Sequence, residues 1–101
     1  MNLKISIASL YMFPVPSTVG YTVFIKTGCS FCELVKKLLE EEKFTGVNCD
    51  EYLTHQKEAF LTHIESLAGK SHRTFPMVFH EGRFLGGFTE TKNYYEALFS
   101  N

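Results

Sequence analysis

The chain has 101 residues, with 10 Lys and Arg against 11 Asp and Glu, 45% hydrophobic residues and a formal net charge of −1. A chain of this length supports one core that buries roughly two-thirds of its unfolded surface, which excludes a separate cofactor domain. The balanced charge excludes the basic footprint of a general nucleic-acid binder, and 21% charged residues with ten Phe exclude a disordered composition.

Residues 1–20 read as an N-terminal extension and residues 21–101 as the domain. No charge occurs between Ile5 and Ile25, but Pro14, Pro16, Ser17 and Gly20 interrupt that stretch, so it does not form one transmembrane helix. Lys4, the apolar run Ile5 to Phe13 and the small residues near Ser17 also fit a short signal peptide. The alternation of Leu3, Ile5 and Ile7 favours an extended arm lying on the domain, and an odd cysteine count argues against secretion. A cytoplasmic protein without a membrane anchor is the expectation.

From Tyr21 to Lys26 the chain is β-branched and aromatic and reads as a buried strand, with Thr27-Gly28 as the turn. Phe31, Leu34, Val35, Leu38 and Leu39 then fall at helical spacing, which predicts an amphipathic helix running to about Lys43. Phe44 to Cys49 suits a second strand. Thr54 would cap a helix burying Phe60, Ile64, Leu67 and Ala68, stopped at Gly69. Met77–His80 and Arg83–Gly86 are short strands joined by Glu81-Gly82. Thr89 would cap a last helix burying Tyr94, Tyr95, Leu98 and Phe99. Four strands and three helices in this order favour an α/β fold, a mixed four-stranded sheet with helices on both faces.

Cys29 and Cys32 form a C-x-x-C unit, and Cys49 stands alone. The four His give no second ligand pair at zinc spacing, and Glu33 stands where c-type haem attachment needs His. No resident metal is expected from the chain alone, which leaves redox chemistry or a cluster completed by ligands from outside. Cys29 closes a strand-turn and opens a helix, where unpaired N–H groups and the macrodipole favour a thiolate. With Lys26 across the turn, such a thiol falls to roughly 3.5–7.5 from about 8.5. Cys29 is therefore the expected nucleophile. Cys32, deeper in the helix, is the expected resolving thiol, and the two form a redox-active disulfide. Cys49 reads as a buried hydrophobe. Pro76 is either an edge-strand starter or a cis proline that leaves the Phe75 backbone free for an extended ligand.

The runs Phe24-Ile25-Lys26-Thr27-Gly28-Cys29-Ser30-Phe31-Cys32, Arg73-Thr74-Phe75-Pro76 and Gly86-Gly87-Phe88-Thr89-Glu90 together resemble a dithiol glutaredoxin of the thioredoxin-like superfamily, over roughly Tyr21 to Phe99. Thioredoxin itself is a poorer match, because the chain has no Trp and carries Ser30-Phe31 between its cysteines. The resemblance implies the thioredoxin-like fold and glutathione as reductant. Lys26 and Arg73 would meet the glycyl carboxylate, and Thr74, Phe75 and Pro76 the cysteinyl backbone. Phe31 would form an aromatic wall. Gly87, Phe88 and Thr89 would receive the γ-glutamyl carboxylate at a helix N-terminus.

Ser30 departs from the usual Pro. Its hydroxyl would reach the Cys29 thiolate, and serine at that place occurs in members that bind a glutathione-ligated [2Fe-2S] cluster between two subunits, which is the alternative reading. Phe75 replaces the usual Val, and Lys70-Ser71-His72 lengthens the preceding loop. Implied partners are glutathione and disulfide-bonded or glutathionylated proteins, ribonucleotide reductase among them, approached by a monomer.

Overall fold

The computed structural model describes residues 13–100. The sheet contains β1 (Tyr21–Ile25), β2 (Phe44–Asn48), β3 (Met77–His80) and β4 (Arg83–Gly86), in the spatial order β2-β1-β3-β4. β1 pairs with β2 in parallel, while β1–β3 and β3–β4 are antiparallel. Parallel β1 and β2 require a crossover, supplied by α1 (Ser30–Leu38). β3 and β4 need only a hairpin, and both connecting residues, Glu81 and Gly82, have positive φ, as a tight twisted turn requires.

The period of two along the strands divides the core between the two faces of the sheet. Tyr21, Val23 and Val78 point to one face and pack with Val35 and Leu39, with Phe88, Tyr94 and Tyr95 of α4 (Phe88–Ala97) against them. Phe24, Met77 and Phe79 point to the other. There they meet Phe60, Leu61 and Ile64 of α3 (Lys57–Ala68), with Tyr52 and Leu53 of α2 (Asp50–His55) alongside. The mixed sheet with helices on both faces is thus the α/β architecture anticipated from the element order.

Several boundaries differ from expectation. α1 stops at Leu38, with Leu39 as its C-cap, rather than near Lys43. Residues 40–42 are three glutamates, which offer the core nothing and stand unfavourably at the negative end of a helix. Where one helix was expected after Thr54, two are formed, parted at Gln56 (φ −145°). Thr54 lies inside α2, its hydroxyl bonded to the Asp50 carbonyl, so it caps nothing. Leu67 remains exposed, while His63 is buried in its stead. α4 has Gly87, not Thr89, as its N-cap, because the Glu90 carboxylate turns back to accept the Gly87 N–H at 2.9 Å.

The packed unit also reaches back before Tyr21. Phe13 is 6% exposed and sits edge-on to Tyr52 and Phe60, and the Pro14 carbonyl lies 2.7 Å from His63 Nε2. Phe13 and Pro14 therefore lie on the α2–α3 face, and the residues after them, Val15 and Val19 exposed among them, lead into β1. The readings placed on Leu3, Lys4, Ile5 and Ile7 fall outside the described residues. Among the described residues no helix is long and apolar enough to cross a membrane.

Candidate active site

The turn between β1 and α1 is held from below. Asp50, the first residue of α2, accepts the Thr27 backbone N–H at 3.0 Å through one carboxylate oxygen and the Thr27 hydroxyl through the other. These two bonds hold the Asp50 carboxyl below its usual range, assisted by Asn48 and by the charge of Lys26. Gly28 follows with φ 75°, a left-handed conformation open to glycine at no steric cost, and delivers Cys29 to the N-cap of α1.

Cys29 Sγ accepts the Cys32 backbone N–H at 3.1 Å, so the sulfur itself caps the helix. Cys29 is half-buried, whereas Cys32 is wholly buried, and the two are joined in a disulfide with Cα atoms 5.2 Å apart. In the reduced protein the N–H bond and the helix end favour an anion on Cys29. The Phe75 carbonyl oxygen, 3.6 Å from the same sulfur, opposes it. Ser30 is exposed and makes no hydrogen bond to Cys29 Sγ; the backbone N–H fills the role expected of its hydroxyl. Cys49 is buried, and burial pushes its thiol up to about 12.

The Phe75–Pro76 peptide is cis, and the Phe75 carbonyl faces the Cys29 sulfur. Alongside opens a cleft of about 240 Å³ lined by Phe31, Thr74, Phe75, Pro76 and the Gly87-Phe88-Thr89 turn, together with His72 and Glu90. Phe31 stacks on Phe88, ring centroids 5.9 Å apart, and forms one wall. Lys26 does not line the cleft, but its Nζ lies 5.7 Å from the Phe75 ring centroid, beside it. Arg73 is not brought to the cleft at all. Its guanidinium pairs with Glu58 at 2.7 Å and Glu65 at 3.5 Å on α3, partners that sequence spacing did not disclose.

The Gly86-Gly87 pair divides its work. Gly86 has φ 130°, and a Cβ there would lie 2.8 Å from Glu90 Cβ, so glycine is required by the helix it precedes. At Gly87 a Cβ would make only ordinary contacts, the nearest at 3.6 Å. Beyond it, Phe88 and Thr89 occupy the first turn of α4, where backbone N–H groups lack intrahelical partners. His72 and Glu90 escaped the sequence reading as lining residues. Glu90 had a signal, since it stands three places after the N-cap, but His72 had none. Among the described residues no group of three or more His, Cys, Asp or Glu could hold a metal ion, so any cluster would need ligands from outside this chain.

The Glutaredoxin family model matches residues 21–85. The mitochondrial glutaredoxin-2 of Homo sapiens is 32% identical over 69 residues, 68% of this chain and 41% of that protein. The hybrid peroxiredoxin hyPrx5 of Haemophilus influenzae is 28% identical over 74 residues, 73% of this chain and 28% of that protein. The chain therefore aligns with less than half the length of these curated relatives. Among solved structures, a buckwheat glutaredoxin–glutathione complex superposes with a TM-score of 0.73 at 22% identity, covering 96% of this chain and 86% of that one. Reduced glutaredoxin C1 from Populus tremula x tremuloides gives 0.72 at 24%, covering 97% and 84%. With a family match over residues 21–85, a thioredoxin-like sheet and a paired C-x-x-C at a helix N-terminus, the chain belongs to the glutaredoxin family and fits its dithiol form.

Proposed function

We propose that this protein is a glutathione-dependent thiol–disulfide oxidoreductase, reducing protein–glutathione mixed disulfides and protein disulfides. The observation that carries the reading is the half-buried Cys29 sulfur, capping α1 beside the cleft between the Phe75–Pro76 turn and the α4 N-terminus. The buckwheat relative described as a glutathione complex supports the choice of ligand.

On a glutathionylated protein, the Cys29 thiolate attacks the glutathione sulfur. The protein leaves as a thiolate and Cys29 carries the glutathione. A second glutathione thiolate attacks that same glutathione sulfur, releasing oxidised glutathione and restoring Cys29. The route needs one cysteine of the chain. On a protein disulfide, Cys29 attacks one sulfur and the other leaves as a thiolate. Cys32 then attacks the Cys29 sulfur, releasing the reduced substrate and closing the intramolecular disulfide, which two glutathiones reopen.

Within the cleft, the carbonyl and N–H of Phe75 face the cysteinyl backbone, and Lys26, beside the cleft, reaches over Phe75 to the glycyl carboxylate. The first-turn N–H groups of Phe88 and Thr89 take the γ-glutamyl carboxylate. The test is turnover of a glutathionylated peptide by single variants. Cys29→Ser is expected to lose all activity and Cys32→Ser to keep deglutathionylation while losing protein disulfide reduction. Turnover retained in Cys29→Ser contradicts the reading.

A further inference from the structure

Among the residues that line the cleft, two carry ionisable side chains, Glu90 and His72. Glu90 is engaged as the cap of Gly87. His72 is used neither by the chemistry above nor by any side-chain hydrogen bond among the described residues, yet its ring is firmly placed. It packs edge-on to Phe84, with centroids 5.0 Å apart and planes at 71°. Its Cε1 lies 3.8 Å from where a Cβ on Gly87 would stand. The imidazole is thus fixed at the end of the cleft where α4 begins.

The two ring nitrogens are not equivalent. Nε2 is sealed from solvent and has no hydrogen-bond partner among the described residues. A buried N–H left unpaired is rarer and more costly than an under-satisfied acceptor. In the neutral ring this places the lone pair on Nε2 and the proton on Nδ1. Nδ1–H is then the polar group that the ring offers to an occupant of the cleft. An acceptor is wanted there, and the occupant's end at this helix terminus is a carboxylate.

We infer that His72 determines specificity for the γ-glutamyl end of glutathione, its Nδ1–H donating to the α-carboxylate beside the N–H groups of Phe88 and Thr89. The inference rests on glutathione occupying the cleft as proposed above. A side-chain donor has a clear task at this point, because the Glu90 carboxylate at the same helix end disfavours the α-carboxylate while it attracts the neighbouring α-ammonium.

The full chain is assayed on two mixed disulfides of one peptide, one with glutathione and one with its analogue lacking the γ-glutamyl α-carboxylate. His72→Leu, which keeps an apolar contact to Phe84, is expected to raise KM for the glutathione substrate roughly 10- to 150-fold with kcat held, the effect of losing one hydrogen bond to a charged group. KM for the analogue stays unchanged. His72→Asn, whose amide N–H stands where Nδ1–H stood, recovers most of the loss. Equal losses on both substrates, no loss in His72→Leu, or no recovery in His72→Asn overturns the inference. A wild type inert toward the glutathione substrate overturns the underlying reading as well, whereas an active wild type with an unchanged His72→Leu overturns only this one. Should His72→Leu not fold, ¹⁵N-histidine spectra of the wild type decide. Protonation at Nδ1 and a His72 shift on adding S-methylglutathione but not the analogue support the inference, and a His72 signal indifferent to both contradicts it.

Discussion

Cys29, Cys32 and Cys49 share a side chain and differ only in surroundings. Cys29 is half-buried at a helix N-terminus, Cys32 is buried one turn inside, and Cys49 is fully buried as a member of the core that holds Phe24, Phe60 and Phe79. With its thiol raised to about 12, Cys49 has almost no thiolate near neutrality. Limited alkylation of the reduced native protein at pH 7, followed by mass mapping, is therefore expected to modify Cys29 first and leave Cys49 intact until denaturant is added. Early modification of Cys49 would contradict that ordering. That Cys29 caps the first helix was legible from the C-x-x-C placed after Thr27-Gly28, since turn, cap and thiol are neighbours in sequence. Arg73 was legible only as a charge near the motif, and which acids it pairs with is decided by α3, eight to fifteen residues away.

At the scale of elements, the termini carry the function and are set by side chains outside the regular pattern. Gly86 permits the sharp entry into α4. Gly86→Ala forces a left-handed residue and a clash with Glu90, and is expected to destabilise by about 2 kcal/mol in denaturant unfolding; an unchanged midpoint would show that the turn relaxes freely. Asp50 fastens the β1–α1 turn. Its folded carboxyl lies below the ordinary value, so its contribution is complete above about pH 3.9 and is lost as pH falls through the lower folded value. The stability difference between wild type and Asp50→Asn is thus expected to shrink between pH 6 and pH 2 in parallel urea titrations. A pH-independent difference would remove Asp50's charge from the account. The hairpin was readable because Glu81-Gly82 and the flanking strands are local. The break at Gln56 was not, because glutamine is an ordinary helix former and gives no stop signal.

For the molecule as a whole, two separate cores meet at one sheet, and the Cys29 turn sits at the C-terminal end of its interior strand β1. The order of elements disclosed helices on both faces. The part played by residues 13–20 was hidden, since Phe13 has no periodic neighbour and finds its partners on α2 and α3. Phe13→Ala is expected to cost about 3 kcal/mol of stability by the loss of a buried aromatic, and a loss below ~1 kcal/mol would place Phe13 outside the working core. What both cores achieve together is a rigid seat for one sulfur, and ionisation of that sulfur is the central claim. The direct measurement is the pH dependence of Cys29 thiolate absorbance in the reduced protein, with Cys29→Ser as the blank. A midpoint well below the free thiol value of about 8.5 is expected, because the Cys32 N–H and the α1 terminus outweigh the Phe75 carbonyl. A midpoint at or above that value would contradict the account.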